Sequence, residues 1–330
     1  MDRNNWIGIG LMALLFLGYS WYIQPSEEEL AAAEAAELAE AVRADSLAAV
    51  AAATAQVEAQ VLQLEAVPDT IPADWAAKWG SWATAVPGRD TAVTLANDRV
   101  AITIASRGAL PASAELRDGY TRYGDGAPIR LWDPSRSTLS MRIAGAGHPP
   151  VNLVDLHFTP AAEGDSAVTF TAVGSAGSIA VRHALRGYQM STRITFASAM
   201  PDSALLVWDA VGEANEKGID WERQHSAIYY KEQGLSRDYL SDGGEDDAVT
   251  EAPLEWLALK QNFFSALIST PSGFPAGAVL AQAPLGEDST ATMRFQAQIP
   301  LAPEPGKTAY VLDFYFGPND LPALEQTGLD

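Results

Sequence analysis

The sequence predicts a mainly β fold, an antiparallel sandwich, and three observations lead there. From about residue 88 onward, short segments alternate apolar and polar side chains with period two, as in strands with one buried face. Gly, Pro, Asn and Asp interrupt them at intervals of roughly 8 to 12 residues, the spacing of a sandwich. No long helical pattern occurs between residues 88 and 316. About 15 to 17 strands are expected, packed as two large sheets around one core.

Before that domain come three shorter regions: residues 1–25, 26–67 and 68–87. The first holds an uncharged run from Trp6 to Ile23, long enough as a helix to cross the hydrocarbon of a bilayer. Trp6 marks one end, and Tyr19, Trp21 and Tyr22 the other, where amphipathic rings favour the headgroup level. Arg3 precedes the run and Glu27, Glu28 and Glu29 follow it, so a cytoplasmic N-terminus is expected, with everything after about residue 24 outside. A cleaved signal peptide is the rival reading, with Ala31 to Ala33 as small residues for cleavage; Pro25 and three glutamates separate them from the run.

Residues 26–67 are dominated by Ala, Glu, Leu and Val and contain neither Gly nor Pro, which predicts helix. Ser26 is the expected N-cap and Pro68 the stop. Nine carboxylates face the single Arg43, so the tract suits a solvated stalk better than a core helix. In residues 68–87, Trp75, Trp79 and Trp82 fall on one helical face. An interfacial anchor or partner stripe is one reading. Packing against the following domain is favoured, because no basic residues flank the rings.

Through the β region, Val100, Ile102 and Ile104 make one alternating set, as do Leu139, Met141 and Ile143. Leu153, Leu156 and Phe158 read as another, then Val168 and Phe170. Longer sets follow in Tyr188 to Phe196 and in Leu205, Val207 and Ala210. Strands are also expected at 227–230, 254–259, 263–268, 278–281, 292–299 and 309–316, with a short terminal helix at 318–326.

Charge and motifs exclude more than they assign. The formal net charge is −21, which repels a phosphate backbone, so nucleic acid is not an expected partner. With no cysteine there is no disulfide, thiolate metal site or cysteine nucleophile. Phosphate-loop, dinucleotide-binding, serine-hydrolase and zinc-protease motifs are absent. Gly174 to Ser178 reads as a turn, and Asp242 to Asp247 as a solvated acidic loop rather than a calcium site. His148, His157, His183 and His225 lack metal-ligand spacing. Neither catalytic residues, a cofactor nor a metal set is expected.

Several blocks together carry a resemblance. They are the opening Met1 to Asn4 with its apolar run and Gln24-Pro25-Ser26-Glu27 exit, Ile102 to Leu116 with Tyr120 and Tyr123, and Trp208. Glu216-Lys217, Glu222-Arg223 and Ala227 to Lys231 follow, then the segment from Glu255 through Trp256, Lys260, Gln261, Phe263 and Phe264 to Ile268. Phe314 to Pro318 closes the series. In this order they resemble YidC-type membrane protein insertases, especially the Bacteroidetes-like branch. One departure is a single Gly108 where that family usually has a glycine pair. The Ala/Glu tract has no counterpart.

The resemblance implies a galactose-mutarotase-like β-supersandwich in the periplasm, anchored in the inner membrane. It implies nascent membrane proteins and Sec translocon components as partners, with the bilayer contacted through Trp6 to Ile23, and no enzymatic activity. The family's insertase core, five further helices with an intramembrane arginine, has no match in these residues, so the chain reads as an N-terminal portion or a truncated product. An anchored periplasmic carbohydrate-binding or mutarotase-like protein is the alternative; His183 and His225 are its conceivable acids. Trp256, Phe263 and Phe264 are expected in the core. Lys260 and Gln261 are expected to be partly buried, with Lys260 paired to Glu216, Glu222 or Glu255.

Overall fold

The computed structural model describes residues 72–145, 150–175, 177–197 and 200–328. The expected anchor with Trp6, Tyr19, Trp21 and Tyr22, the acidic tract and His148 lie outside the described residues. No described helix is long and apolar enough to cross a membrane.

Eighteen strands are present among the described residues. The first three, β1 (Ala92–Ala96), β2 (Val100–Ala105) and β3 (Pro111–Leu116), form a small sheet. Then come β4 (Thr138–Ala144), β5 (Val151–Asn152), β6 (Thr159–Ala162), β7 (Ala167–Gly174), β8 (Gly177–Arg186), β9 (Gln189–Phe196) and β10 (Ser203–Glu213). The remainder are β11 (Ala227–Glu232), β12 (Arg237–Tyr239), β13 (Asp246–Val249), β14 (Leu254–Gln261), β15 (Phe264–Phe274), β16 (Val279–Pro284), β17 (Ala291–Leu301) and β18 (Ala309–Pro318). One sheet has six strands in the order β13-β16-β17-β10-β4-β5, the other nine in the order β12-β11-β14-β15-β18-β9-β8-β7-β6. Every pairing between these strands is antiparallel. The mainly β expectation therefore holds, with a third, small sheet added to the two large ones.

Register explains the core. In the nine-stranded sheet Leu257 pairs with Ile268, Ile268 with Phe314, Phe314 with Met190 and Met190 with Leu185, so all five share one face, and all are buried. The six-stranded sheet contributes Leu206, Trp208 and Ala210 from β10, aligned with Ile299, Ala297 and Phe295 of β17. Trp208 meets Phe314 edge-on at 6.4 Å between ring centroids, and Trp132 packs on both Trp208 and Phe316. These rings join the two sheets.

Two expected strands are corrected. Leu153–Asp155 is a 3-10 turn, started by the Asn152 side chain accepting the Val154 N–H; Leu153, Leu156 and Phe158 are buried through that turn rather than through alternation. In β10 the core set is one position out of the expected phase: Leu206 and Trp208 point inward, while Leu205 and Val207 are only half-buried. Where both faces of a strand carry apolar residues, period two does not reveal the phase.

The Trp segment forms a helix at Ala73–Trp79 and a 3-10 helix at Gly80–Ala85. Trp75, Trp79 and Trp82 pack against the core, as favoured. Trp79 Nε1 donates to Asp155, and the segment binds β7 and its turn through its Ser81 carbonyl, which accepts from Ser175 N, and its Thr84 hydroxyl, which donates to Val173 O. A short helix at Leu321–Glu325, capped by Asp320, follows β18 where a terminal helix is expected.

Candidate functional site at the β14–β15 hairpin tip

The block from Trp256 to Phe264 lies on β14 and its turn into β15, and the structure separates its residues. Trp256 is 7% exposed and pairs in register with Ser269 and Lys231, on the face opposite Leu257. Gln261 is buried; its Nε2 donates to the Leu131 carbonyl while Oε1 has no partner. Gly212, where β10 shifts register against β17, gives Gln261 its space: a Cβ there would lie 2.7 Å from Thr292 Oγ1 and 2.9 Å from Gln261 Oε1. Phe264 is buried and meets Tyr120 edge-on at 5.2 Å.

Phe263 is the main correction. Expected in the core, it is 55% exposed. Gln261 and Phe264 pair directly, so Asn262 and Phe263 form a two-residue turn that directs the ring outward. Such turns usually require left-handed residues, because their twist then matches that of the strands. Among the described non-glycine residues only Ala109 has a positive φ, so this turn is not of that kind. Asn319 holds it instead: its backbone N–H donates to Phe263 O at 2.7 Å, and its Nδ2 to Gln261 O at 2.9 Å and Asn262 O at 3.1 Å. Ser265 Oγ fixes the Asn319 amide by donating to Oδ1 at 2.6 Å.

Lys260 is half-buried but not bonded to any of the expected carboxylates. Nζ donates to the His225 carbonyl at 2.8 Å and sits 5.2 Å from the centre of the Tyr229 ring. Burial pulls its pKa below the ordinary lysine value, with Asp242 opposing. Glu255 instead pairs with Lys231 at 3.1 Å, and Glu222 accepts the backbone N–H groups of Asn215 and Glu216. A lysine need not find a carboxylate when a carbonyl and an aromatic face are nearer.

Beside the hairpin tip lies a cleft of about 380 Å³, lined by Tyr120, Thr121, Ile129, Glu216, Asn262, Phe263, Phe264 and Pro318 to Asp320. An ion-pair knot braces the loop that carries Tyr120. Buried Glu213 receives Arg130 at 2.7 Å and Arg122 at 3.1 Å, and Arg122 also holds Asp125. Burial still raises the Glu213 pKa, although both arginines oppose it. Spacing along the chain gave no sign of this cleft, since its lining comes from four separate segments.

The histidines do not assemble a sugar-acting pair. His183 is fully buried, its pKa lowered to about 4 by desolvation. Its Nε2 donates to Ala109 O at 2.9 Å, and its Nδ1 accepts from Thr192 Oγ1 at 2.8 Å. His225 stacks on Trp221 at 4.1 Å, and its Nδ1 donates to Trp221 O. On the face of the nine-stranded sheet away from the core, clefts of about 390 and 420 Å³ share Ser269, Asp313 and Thr327, and no histidine lines either. In the acidic loop, Asp246 accepts from Ser241 N and Oγ. Among the described residues no cluster of His, Asp or Glu could hold a metal ion.

Comparison with known proteins completes the picture. The family model for the YidC periplasmic domain matches residues 92–330. Curated relatives named membrane protein insertase YidC include one from Porphyromonas gingivalis, 31% identical over 96% of this chain and 51% of its own length. Another, from Parabacteroides distasonis, is 28% identical over 98% of this chain and 53% of its own. The chain thus spans about half the length of the curated relatives it matches. Among solved structures, a galactose mutarotase-like protein from Lactobacillus casei is 14% identical with a TM-score of 0.45, covering 69% of this chain and 100% of that one. A galactose mutarotase related enzyme from Lactobacillus acidophilus is 8% identical with a TM-score of 0.41, covering 68% and 97%. The family match runs from the first residue of β1 through the terminal helix, taking in the hairpin tip and its cleft, and on that extent the chain belongs to the YidC periplasmic-domain family.

Proposed function

We propose that this chain acts in membrane protein insertion, as the N-terminal part of a YidC-type insertase. In this reading Trp6 to Ile23 cross the inner membrane with the N-terminus in the cytoplasm. The acidic tract is a stalk, and the β domain works in the periplasm as a non-enzymatic accessory. Its partners are nascent membrane proteins and components of the Sec translocon. The observation that supports this is the unbroken family match over residues 92–330, beside relatives named as insertases over nearly the whole chain.

A sugar-acting role has less support. It needs an acid and a base facing one ligand, and His183 is sealed in the core.

The test is a fusion of these 330 residues to the membrane core of the Porphyromonas gingivalis relative, expressed in cells depleted of their own insertase. Insertion of a reporter membrane protein is expected to exceed that given by the core alone. A fusion no better than the core would sink the proposal. Protease added after outer-membrane permeabilisation should digest the β domain, and full protection would overturn the topology.

A further inference from the structure

Single exposed hydrophobic side chains are normal, whereas a group around one concavity marks a place of contact. Ten large hydrophobic residues are exposed among the described residues; two of them line the hairpin-tip cleft, and Tyr123 and Leu321 lie within two residues of its lining along the chain. Tyr120 and Phe263 line it directly. Tyr123 stands over Lys217, the neighbour of the lining residue Glu216, and Leu321 follows the lining residue Asp320.

The polar groups there are unevenly satisfied. Asp320 is engaged as a helix cap. The Glu216 carboxylate has no ion pair among the described residues and stands near buried Glu222, whose pKa it helps to raise. Asn262 Nδ2 is buried without an acceptor, on the residue just before Phe263. The cleft thus offers two aromatic faces, an open negative charge and an amide donor lacking a carbonyl. These are held on a turn that Asn319 has already fixed, so little ordering cost remains to be met on binding.

We propose that this cleft docks an extended peptide segment in which an apolar side chain is followed by a basic one. The apolar group packs between Phe263 and Tyr120, and the lysine or arginine reaches Glu216. A main-chain carbonyl of the segment supplies the acceptor for Asn262 after a small rotation of that amide. Charge decides against a lipid surface as the occupant: the cleft carries carboxylates and the chain is acidic overall, which disfavours anionic headgroups, while a basic peptide is complementary. The insertase reading enters only as a source of such segments. Direct binding tests the cleft, and the fusion assay tests that reading separately.

The experiment measures fluorescence anisotropy with the full chain in phosphatidylcholine nanodiscs. The probe is a labelled Gly/Ser peptide bearing a leucine pair followed by lysine and arginine. Phe263→Ser and Tyr120→Ser should each weaken binding about ten-fold, as truncated aromatic anchors do. Phe263→Ser should melt with the parent, since that ring is exposed, and Tyr120→Ser slightly below it, since that ring also packs edge-on against buried Phe264. Glu216→Gln should weaken binding and flatten its salt dependence. Peptides with serines for the leucines, or glutamates for the basic pair, should bind as poorly as the variants do. Equal binding by the Phe263→Ser and Tyr120→Ser proteins, or by the glutamate peptide, would overturn the proposal. So would equal uptake by empty nanodiscs, which would assign the affinity to lipid.

Discussion

Ala109 sits at φ 51°, a left-handed conformation that costs an L side chain about 1 to 2 kcal/mol and a glycine almost nothing. It follows Gly108, at φ 81°, where the family resemblance leads one to expect a glycine pair, so the sequence departure and the strain coincide. Ala109→Gly relieves that conformation but gives up a fully buried methyl and frees the unfolded chain, so the effects nearly offset and Tm should move by less than about 2 °C, measured by calorimetry. The carbonyl of this residue also accepts from His183. Because the folded-state pKa of His183 is depressed to about 4 from 6.5, the unfolded chain binds the extra proton between those values. The stability from a neutral, buried imidazole is therefore present above about pH 6.5 and lost as pH falls toward 4. Denaturant melts should show that slope in the parent, and His183→Gln should reduce it; an equal slope in both would place its origin elsewhere. Sequence alone denied His183 a metal-ligand spacing and left it as a conceivable acid; its burial on β8 makes it a core histidine of the sheet. The same reading misplaced Phe263, because Asn-Phe lacks the Asn-Gly signal of a tight turn and two adjacent phenylalanines read as the start of a strand.

Alternation made several strands legible, since β2, β9 and β17 each bury alternate side chains over much of their length, whereas β18 is buried on both faces almost throughout. β5 and β12, of two and three residues, are too short to show a period. The cleft was illegible for a related reason. Contact between the loop holding Tyr120, the segment holding Glu216, the hairpin tip and the end of β18 depends on sheet order, which no local pattern encodes. The Trp segment shows what an element boundary means physically. A boundary at residue 88 separates the domain from Trp75, Trp79 and Trp82, which pack on its core, and from the bonds of Ser81 and Thr84 to the β7 end. Gly174 lies so close beneath this segment that a Cβ would meet Trp82 at 2.7 Å. A chain beginning at residue 72 should therefore unfold at a higher denaturant midpoint than one beginning at 88. The expected difference is at least about 2 kcal/mol, from burial of the indoles. Coincident curves would show the segment to be dispensable.

The whole chain carries 42 acidic residues against 21 basic ones, and eight of the excess negative charges belong to residues 26–67. There are five lysines to sixteen arginines, and arginine supplies most of the ion pairs of the β domain. We propose that such an acid-rich, lysine-poor balance fits the protein to high salt, where screening relieves self-repulsion. Thermal midpoints should accordingly rise from dilute buffer to molar sodium chloride; a flat or falling series would count against that fit. The Asn319 clamp carries a consequence of a mechanical kind. Asn319 stands immediately after β18, and the hydrogen bonds it makes to Gln261, Asn262 and Phe263 come before the first register pair of that strand, Pro318 with Phe264. A pull applied beyond the terminal helix loads that helix's own contacts, the Gln189 to Gln326 bond and buried Ala323, and then the clamp before the sheet. Tension arriving from that side would thus loosen the presented ring while the core stays intact, making the tip a weak link in series with a strong one.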